Sequence, residues 1–240
     1  MSKAGEVNQA TGQAYQYVFV GALEANIKAF ENKFHVHNAP EKTSFKGRTG
    51  KSFSFDFNGV LRDSFRSGEV FGESKGYTKG DNLLSEFRVF LAKAYVTSFD
   101  HERHRNDYFW FVTNVPFGCS EGSQIRSFDF VRAALIDASN AEVLEILGNG
   151  HIDDGFVRSL VERLGVFILT DSYLMNTDIS YRVVPGDSIW TIVKKFHGGR
   201  APSGFGHVAG TIAAKNRLPS PDEIRSGQRI RFRWRGLSRK

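Results

Sequence analysis

The sequence predicts an α/β fold with a mixed central sheet flanked by helices, followed by a small second domain of βααβ type. Three observations support this prediction. Between residues 14 and 170 the periodic segments follow the order helix, strands, helix, strand, helices, strand. The run Tyr108–Thr113 is continuously apolar, as expected for a strand covered on both faces. Residues 181–232 alternate strand, turn and helix signals, so we expect one domain over 1–175 and another over 176–240.

The first elements are read from hydrophobic periodicity. Apolar residues recur at helical intervals between residues 14 and 34 and predict a long first helix, namely Val18, Leu23, Ile27, Phe30 and Phe34. In Lys51–Gly59 three phenylalanines alternate with polar residues, which is the period of a half-buried strand. The segment Glu69–Tyr77 predicts the strand that pairs with it.

Later elements follow the same reasoning. Leu83–Val96 is amphipathic and predicts a helix, with Leu84, Phe87, Phe90, Leu91, Ala94 and Tyr95 as its apolar set. Further helices are expected at about 124–138, 141–147 and 154–164, then a strand at Phe167–Thr170. Residues 172–180 are the expected junction between the two domains.

Composition limits the classes of protein to consider. A hydrophobic content of 40% with 24% charged residues is ordinary for a globular chain and argues against disorder. The net charge of +6 and a pI of about 9.4 lean towards an anionic partner. The segment from Arg225 to Lys240 is strongly basic, and it is either a solvated tail or a contact for a polyanion.

Cysteine content and targeting signals indicate a compartment. The single cysteine, Cys119, excludes an intrachain disulfide, and we interpret it as a small buried apolar residue. The polar N-terminal segment lacks the apolar core of a signal peptide, and no apolar run is long enough for a membrane span. We therefore expect a cytoplasmic protein without a membrane partner.

The chemistry-bearing residues are Asp56, Glu73 and Lys75. On a strand, Glu73 and Lys75 point to the same side about 6.6 Å apart. With Asp56 on the neighbouring strand, two carboxylates would form an oxygen-rich site suited to Mg²⁺. The lysine could position a water molecule at that metal, or help to deprotonate it, for attack on a phosphodiester.

The acid-x-Lys pattern alone is weak, because the chain contains it twice. The other copy, Glu31-Asn-Lys33, falls in the predicted first helix, where residues two apart do not share a face. Only the second copy lies on a predicted strand that follows an acid-bearing strand.

In the order of its predicted helices and strands and of these three residues, the chain resembles the PD-(D/E)xK nuclease superfamily, which has a restriction-endonuclease-like core. Asp56 matches the motif aspartate, Glu73 the second acid and Lys75 the lysine; Glu24 matches the acid that some members carry on the first helix. Phe55 stands where the motif has proline. The resemblance implies cleavage of DNA, or less often RNA, that depends on Mg²⁺ or Mn²⁺, and it leaves a homodimer open. The alternatives are a surface ion pair between Glu73 and Lys75, and a nuclease fold that has lost catalysis.

Other polar residues have competing interpretations. Lys79 and Lys93 either follow the path of a phosphate backbone or are ordinary solvated lysines. His101, His104 and Asp107 form a dense cluster that is either a metal site or a solvated turn, and the spacing offers no further ligand.

The C-terminal segment Tyr181–Ile192 fits the pattern Y-x-V-x-x-G-D-(S/T)-(I/L)-x-x-I and resembles the opening of LysM modules. Gly186 permits a turn, and Asp187 or Ser188 can cap the following helix. The pattern closes at Pro221–Phe232, with Gly227 in a turn before the last strand. The resemblance implies glycan binding, but the segment His197–His207 is longer than usual. Nucleic acid, a protein partner and the chain's own larger domain therefore remain alternative ligands.

Overall fold

The computed structural model describes residues 3–63, 67–76, 82–118, 124–137, 139–197, 205–221 and 223–233. The chain divides into two compact units, one formed by 29–168 and the other by 1–28 together with 169–240. Among the described residues, no helix combines the length and the apolarity that crossing a membrane requires. Cys119 and Lys79 lie outside the described residues.

The unit of residues 29–168 is built on a mixed five-stranded sheet. Its strands, with those of a separate two-stranded sheet, are β1 (Phe30–His35), β2 (Ser44–Lys46), β3 (Ser52–Ser54), β4 (Phe57–Arg62), β5 (Ser67–Lys75), β6 (Tyr108–Thr113) and β7 (Leu164–Ile168). The large sheet has the order β1-β4-β5-β6-β7, and β2 pairs with β3. Its first three strands are antiparallel, whereas β6 and β7 run parallel to β5. The predicted mixed sheet is confirmed.

Helices accompany this sheet. They are α2 (Leu83–Asp100), α3 (Phe128–Leu135), α4 (Ala141–Leu147) and α5 (Asp154–Arg163), with short 3-10 turns at Pro40–Lys42 and Glu102–His104. The helix α2 forms the connection between the parallel strands β5 and β6, as a parallel pair requires a crossover. Ser127, Asn140 and Asp153 cap three of the helices through side chains that accept backbone N–H groups.

Phenylalanine dominates the core of this unit. Fully buried rings come from β1, β4, β5, β6, α2 and the segment before β4, and the largest are Tyr95, Phe30, Phe55, Phe57, Phe71, Phe87, Phe90, Phe109 and Phe111. Many of these rings meet edge to face or at a tilt, for example Phe55 with Phe90 at 6.3 Å between centroids. The predicted apolar side of α2 and the continuously buried β6 strand are confirmed.

Several predicted elements are wrong in their extent. The strand expected at Phe167–Thr170 is β7 at Leu164–Ile168. The first helix ends at Asn26, and Phe30 and Phe34 belong to β1 instead. Their spacing of four is compatible with a helix, but pairing with β4 determines the strand. The predicted strand Lys51–Gly59 is interrupted, because β3 pairs with β2 whereas β4 pairs with β1 and β5. Asp56 lies at the interruption.

The second unit contains α1 (Lys3–Asn26) and the C-terminal elements. These are α6 (Asp171–Asn176), β8 (Asp178–Arg182), α7 (Ile189–Phe196), α8 (Phe205–Lys215) and β9 (Arg229–Arg233). Strands β8 and β9 pair antiparallel, which gives the expected βααβ order. Within this unit α1 packs against β8 and α7, with Tyr17 contacting Tyr181 and Phe196. The two units thus meet along the chain near residues 28 and 168, whereas the sequence predicts a single boundary near 175.

Candidate functional site

Asp56 is held against β5 by hydrogen bonds at the start of β4. Its backbone N–H donates to the carbonyl of Gly72 at 2.8 Å. Its carboxylate oxygen Oδ2 accepts from the backbone N–H of Ser74 at 2.8 Å and from the Ser74 hydroxyl at 3.1 Å. Because Ser74 lies between Glu73 and Lys75, these bonds bring the three predicted residues together.

Glu73 is buried and is surrounded by cations. Only 5% of the residue is exposed. Its Oε1 lies 3.0 Å from the Nζ of Lys75, and the Nζ of Lys93 donates to both carboxylate oxygens at 3.2 and 3.1 Å. Lys93 also donates to the carbonyl of Ser54 at 3.0 Å. The arrangement is therefore a buried carboxylate between two ammonium groups, and not a surface ion pair.

An open cleft of about 360 Å³ borders this carboxylate. Its walls come from the β2–β3 segment, β5, α2 and α4, and are formed by Lys51, Phe53, Glu73, Lys75, Glu86, Val89, Lys93, Glu142 and Ile146. On the α2 side, Glu86 Oε2 lies 2.8 Å from Lys75 Nζ. The cleft is wide enough for a small group such as a phosphate and carries charges of both signs.

The pKa values of Asp56 and Glu73 are shifted in opposite directions. Burial, with the neighbouring Glu73 carboxylate, raises the pKa of Asp56 to about 6, although Lys75, the Ser74 N–H and Lys93 oppose this. Burial also tends to raise the pKa of Glu73, but Lys93 and Lys75 outweigh it and lower that pKa. Glu73 is therefore ionised at neutral pH, and Asp56 loses its proton only near pH 6.

The charge on Lys75 is strongly stabilised. Burial disfavours its ammonium form, but Glu73, Asp56 and Glu86 together raise the pKa of Lys75 above its ordinary value. In this arrangement Lys75 is a cation that donates hydrogen bonds. It cannot accept a proton unless that charge environment changes.

Two residues of this cluster were missed or misassigned from the sequence. Lys93 was interpreted as solvated or as a backbone-phosphate contact, but its side chain is only 14% exposed. Glu86 was not considered at all. The two are seven residues apart on α2, which places them on the same side of a helix two turns apart. That spacing, beside the buried residues Phe87 and Phe90, was the available signal.

Glu24 belongs to the other unit, where its Oε1 lies 3.5 Å from Arg229 NH2 and its side chain is 4% exposed. Its match to the first-helix acid is implied by chain order and stays a prediction.

The other acid-x-Lys copy, Glu31-Asn-Lys33, is also on a strand. Glu31 and Lys33 lie on β1, so they do share a face, and their side chains form an ion pair of 2.8 Å. The predicted helical position of Glu31 and Lys33 is therefore wrong. The two copies differ in their surroundings, because Glu73 is buried beside Asp56 whereas Glu31 is paired with Lys33 and, at 3.9 Å, with Arg62.

Within the histidine-rich segment His104 and Asp107 are buried whereas most of their neighbours are exposed, so the interpretation as a solvated turn is wrong for these two residues. The Nδ1 of His104 lies 2.6 Å from Asp107 Oδ2, and Glu69 brings a carboxylate within 4.8 Å of both. Arg103 donates to the other ring nitrogen of His104 at 2.7 Å, and Asp107 accepts the backbone N–H of Glu69 at 3.0 Å. These ligand atoms are already used in hydrogen bonds, and a cation would have to displace Arg103.

The C-terminal elements are fixed by local hydrogen bonds. Ser188 caps α7 in a reciprocal capping box with Thr191. Asp187 accepts from the Tyr181 hydroxyl at 2.8 Å, from the Val184 N–H at 2.9 Å and from Lys195 at 2.6 Å. Gly186 and Gly227 have φ of 86° and 84°, the left-handed region that glycine adopts without strain. The predicted turns and helix cap are confirmed.

Comparison with known proteins identifies one region of the chain. Residues 181–233 match the family model of the LysM domain. No curated protein matches the chain.

Proposed function

We infer that this chain, whose residues 181–233 form a LysM domain, is a nuclease that hydrolyses phosphodiester bonds through the unit of residues 29–168. The observation that carries the proposal is that Glu73 and Lys75 line an open cleft. Asp56 is held beside them by its hydrogen bonds to Ser74. A buried carboxylate is costly unless it is paired or binds a cation, so such clusters are frequent at functional sites.

The order of elements supports the same reading. Strands β1, β4 and β5 are successively antiparallel, α2 follows, and β6 is parallel to β5. The PD-(D/E)xK resemblance implies a strand bearing the aspartate, a strand bearing the Glu-x-Lys pair, a helix and a strand in that sequence. A shared arrangement of elements gives an analogy, and the side chains must carry the activity.

The residues fit a divalent cation. The pKa of Asp56 is raised in part by the Glu73 carboxylate, and a cation between them would relieve this repulsion. Mg²⁺, or Mn²⁺ in its place, would be held by Asp56 and Glu73 and would supply Lewis-acid polarisation of a phosphoryl oxygen. Oxygen ligands and room for water and phosphate are what these hard cations require.

The two lysines have different roles in this proposal. Lys75 remains protonated at the cleft because its pKa is raised. It therefore orients an incoming phosphate and stabilises the negative charge that develops as water displaces the leaving group. Lys93 has its ammonium group on both oxygens of Glu73, so it positions that carboxylate. Because the pKa of Lys75 is raised, this lysine is not assigned the role of accepting a proton from the attacking water.

Cleavage assays test the proposal. Purified protein is incubated with plasmid, linear and single-stranded DNA, and with RNA, in Mg²⁺ or Mn²⁺. Wild-type protein should cut at least one substrate, and Asp56→Asn and Lys75→Ala should each lose activity by about 10²-fold or more. EDTA should abolish cutting by the wild type.

The chain provides a matched control in its other acid-x-Lys pair. Glu31→Gln and Lys33→Ala change the same residue types on a strand of the same sheet, and both variants should cut like the wild type. Cutting that survives in Asp56→Asn and Lys75→Ala, or no cutting by correctly folded wild type, refutes the nuclease proposal.

A second candidate function comes from the LysM domain itself. LysM modules bind glycans, so the alternative is a non-catalytic glycan- or partner-binding protein in which the larger unit is an inactive scaffold. Co-sedimentation with insoluble peptidoglycan tests this alternative. Sedimentation of the wild type without any nucleic-acid cleavage would favour it over the nuclease.

A further inference from the structure

Strand β9 places a line of exposed arginines along one face of the C-terminal two-stranded sheet. Its burial alternates, with Ile230 and Phe232 buried and Arg229, Arg231 and Arg233 exposed. Residues two apart on a strand point the same way and lie about 6.6 Å apart. Three guanidinium groups therefore follow one another at a separation comparable with that of successive phosphates along a nucleic-acid strand.

The neighbouring strand adds a fourth arginine to the same face. In the β8–β9 register Arg182 lies opposite Arg229, and Asp178 lies opposite Arg233. We call Arg182, Arg229, Arg231 and Arg233 the arginine face. Residues directly opposite each other on paired strands share a face of the sheet, so Arg182 lies on the same face as the three arginines of β9.

Acidic residues neutralise this face only in part. Glu24 lies 3.5 Å from Arg229, and Asp178 lies 3.8 Å from Arg233. The same Asp178 carboxylate also pairs with Lys215 at 2.5 Å, so one acid is shared by two cations. Among the described residues, Arg231 forms no ion pair through its guanidinium group. The segment that contains β9 has no acid between Arg225 and Lys240.

We propose that the arginine face binds the phosphodiester backbone of nucleic acid. Arginine is the side chain best suited to phosphate, because its fork of N–H groups donates two parallel hydrogen bonds. A row of phosphate contacts fixes position on the polymer without reading its sequence. The site lies in the unit that contains the LysM domain and does not depend on catalysis by the other unit.

The test measures binding without cleavage. Fluorescence anisotropy of labelled duplex DNA, single-stranded DNA and duplex RNA is recorded with full-length protein in EDTA at several salt concentrations. The double variant Arg231→Gln/Arg233→Gln should bind at least tenfold more weakly at low salt. Its slope of log affinity against log salt should fall by about two, since two phosphate contacts are lost. The three labelled polymers show whether DNA or RNA is preferred.

The matched control removes two exposed arginines from the other unit. Arg105→Gln/Arg126→Gln makes the same change in net charge at exposed positions and should bind like the wild type. Absence of binding by the wild type, or equal loss in both double variants, would overturn the proposal. Loss of peptidoglycan binding in Arg231→Gln/Arg233→Gln, with nucleic-acid binding intact, would assign the face to glycan instead. The binding assay contains EDTA and therefore measures binding without cleavage. A failure of the binding proposal would leave the nuclease proposal to be decided by the cleavage assay alone.

Discussion

Asp56 has an environment that opposes its own ionisation. The carboxylate is partly buried beside Glu73, and its pKa is raised to about 6. In the unfolded chain the pKa of an aspartate is near 3.9. The folded protein therefore binds this proton more tightly than the unfolded protein does. Stability from this group is present below about pH 4 and is lost as pH rises through about 6.

Replacing Asp56 by asparagine should therefore stabilise the metal-free protein at pH 8. We expect a gain of about 1–2 kcal/mol in the free energy of unfolding, because the amide avoids the cost of a partly buried charge and can still accept from Ser74. Urea unfolding at pH 8 and at pH 4.5 in EDTA measures this, and the gain should shrink at the lower pH. A variant that is less stable than the wild type at pH 8 would show that ionised Asp56 is favourable.

The same substitution separates stability from function. Mg²⁺ should raise the unfolding free energy of the wild type by binding the folded state, and it should have little effect on Asp56→Asn. A residue that costs stability and yet is required for cation binding is typical of an active site.

At the scale of the elements, the approach of β4 to β5 depends on a glycine. Gly72 pairs with Phe57, and a Cβ at position 72 would overlap the Phe57 ring. The carbonyl of Gly72 also accepts the Asp56 N–H. Close packing at this residue therefore sets the position of Asp56 relative to Glu73.

Gly72→Ala should destabilise the protein by about 1–3 kcal/mol, as expected for overpacking in a core. It should also lower any cleavage activity, since the displaced strand carries Asp56 away from Glu73. Gly210→Ala is the control, because that helical position in α8 has open space around the added methyl group and should be neutral or up to about 1 kcal/mol stabilising. Thermal unfolding of both variants measures these changes in stability. Equal stability of Gly72→Ala and the wild type would contradict the close packing of Gly72 against Phe57.

At the scale of the molecule, the C-terminal unit includes a helix from the opposite end of the chain. Tyr17 of α1 lies 6.1 Å from Tyr181 and 5.7 Å from Phe196 between ring centroids. Gly21 approaches β8 so closely that an added Cβ would overlap Ile179. The LysM elements therefore bury part of their apolar surface against α1.

Tyr17→Ala should destabilise this unit by about 2–4 kcal/mol, since a buried aromatic ring is lost from its core. The expected consequence is faster amide hydrogen exchange in β8 and α7, with β5 and β6 unchanged. Tyr173→Ala, at a residue that is 42% exposed in the same unit, should change exchange little. Unchanged exchange in β8 after Tyr17→Ala would mean that the LysM elements are stable without the helix.

Local patterns were sufficient wherever the information is local. The turns at Gly186 and Gly227, the Ser188 cap and the alternation of β9 involve neighbouring residues, so the sequence predicted the LysM elements closely. The spacing of Glu73 and Lys75 on one strand is equally local, and the prediction that the two side chains point to the same side is confirmed.

Long-range packing decided the rest. Periodicity could not distinguish the end of α1 from the start of β1, because a spacing of four fits both a helix and a strand. Chain order likewise gave no sign that Glu24 lies beside Arg229, which is about two hundred residues away in the sequence. Lys93 donates to Glu73, which lies twenty residues earlier in the sequence, because α2 forms the crossover connection that follows β5. The sequence by itself determined which side chains can share a strand or a turn, and only the tertiary structure decided which of them meet, since such contacts depend on how separate elements bury their apolar surfaces.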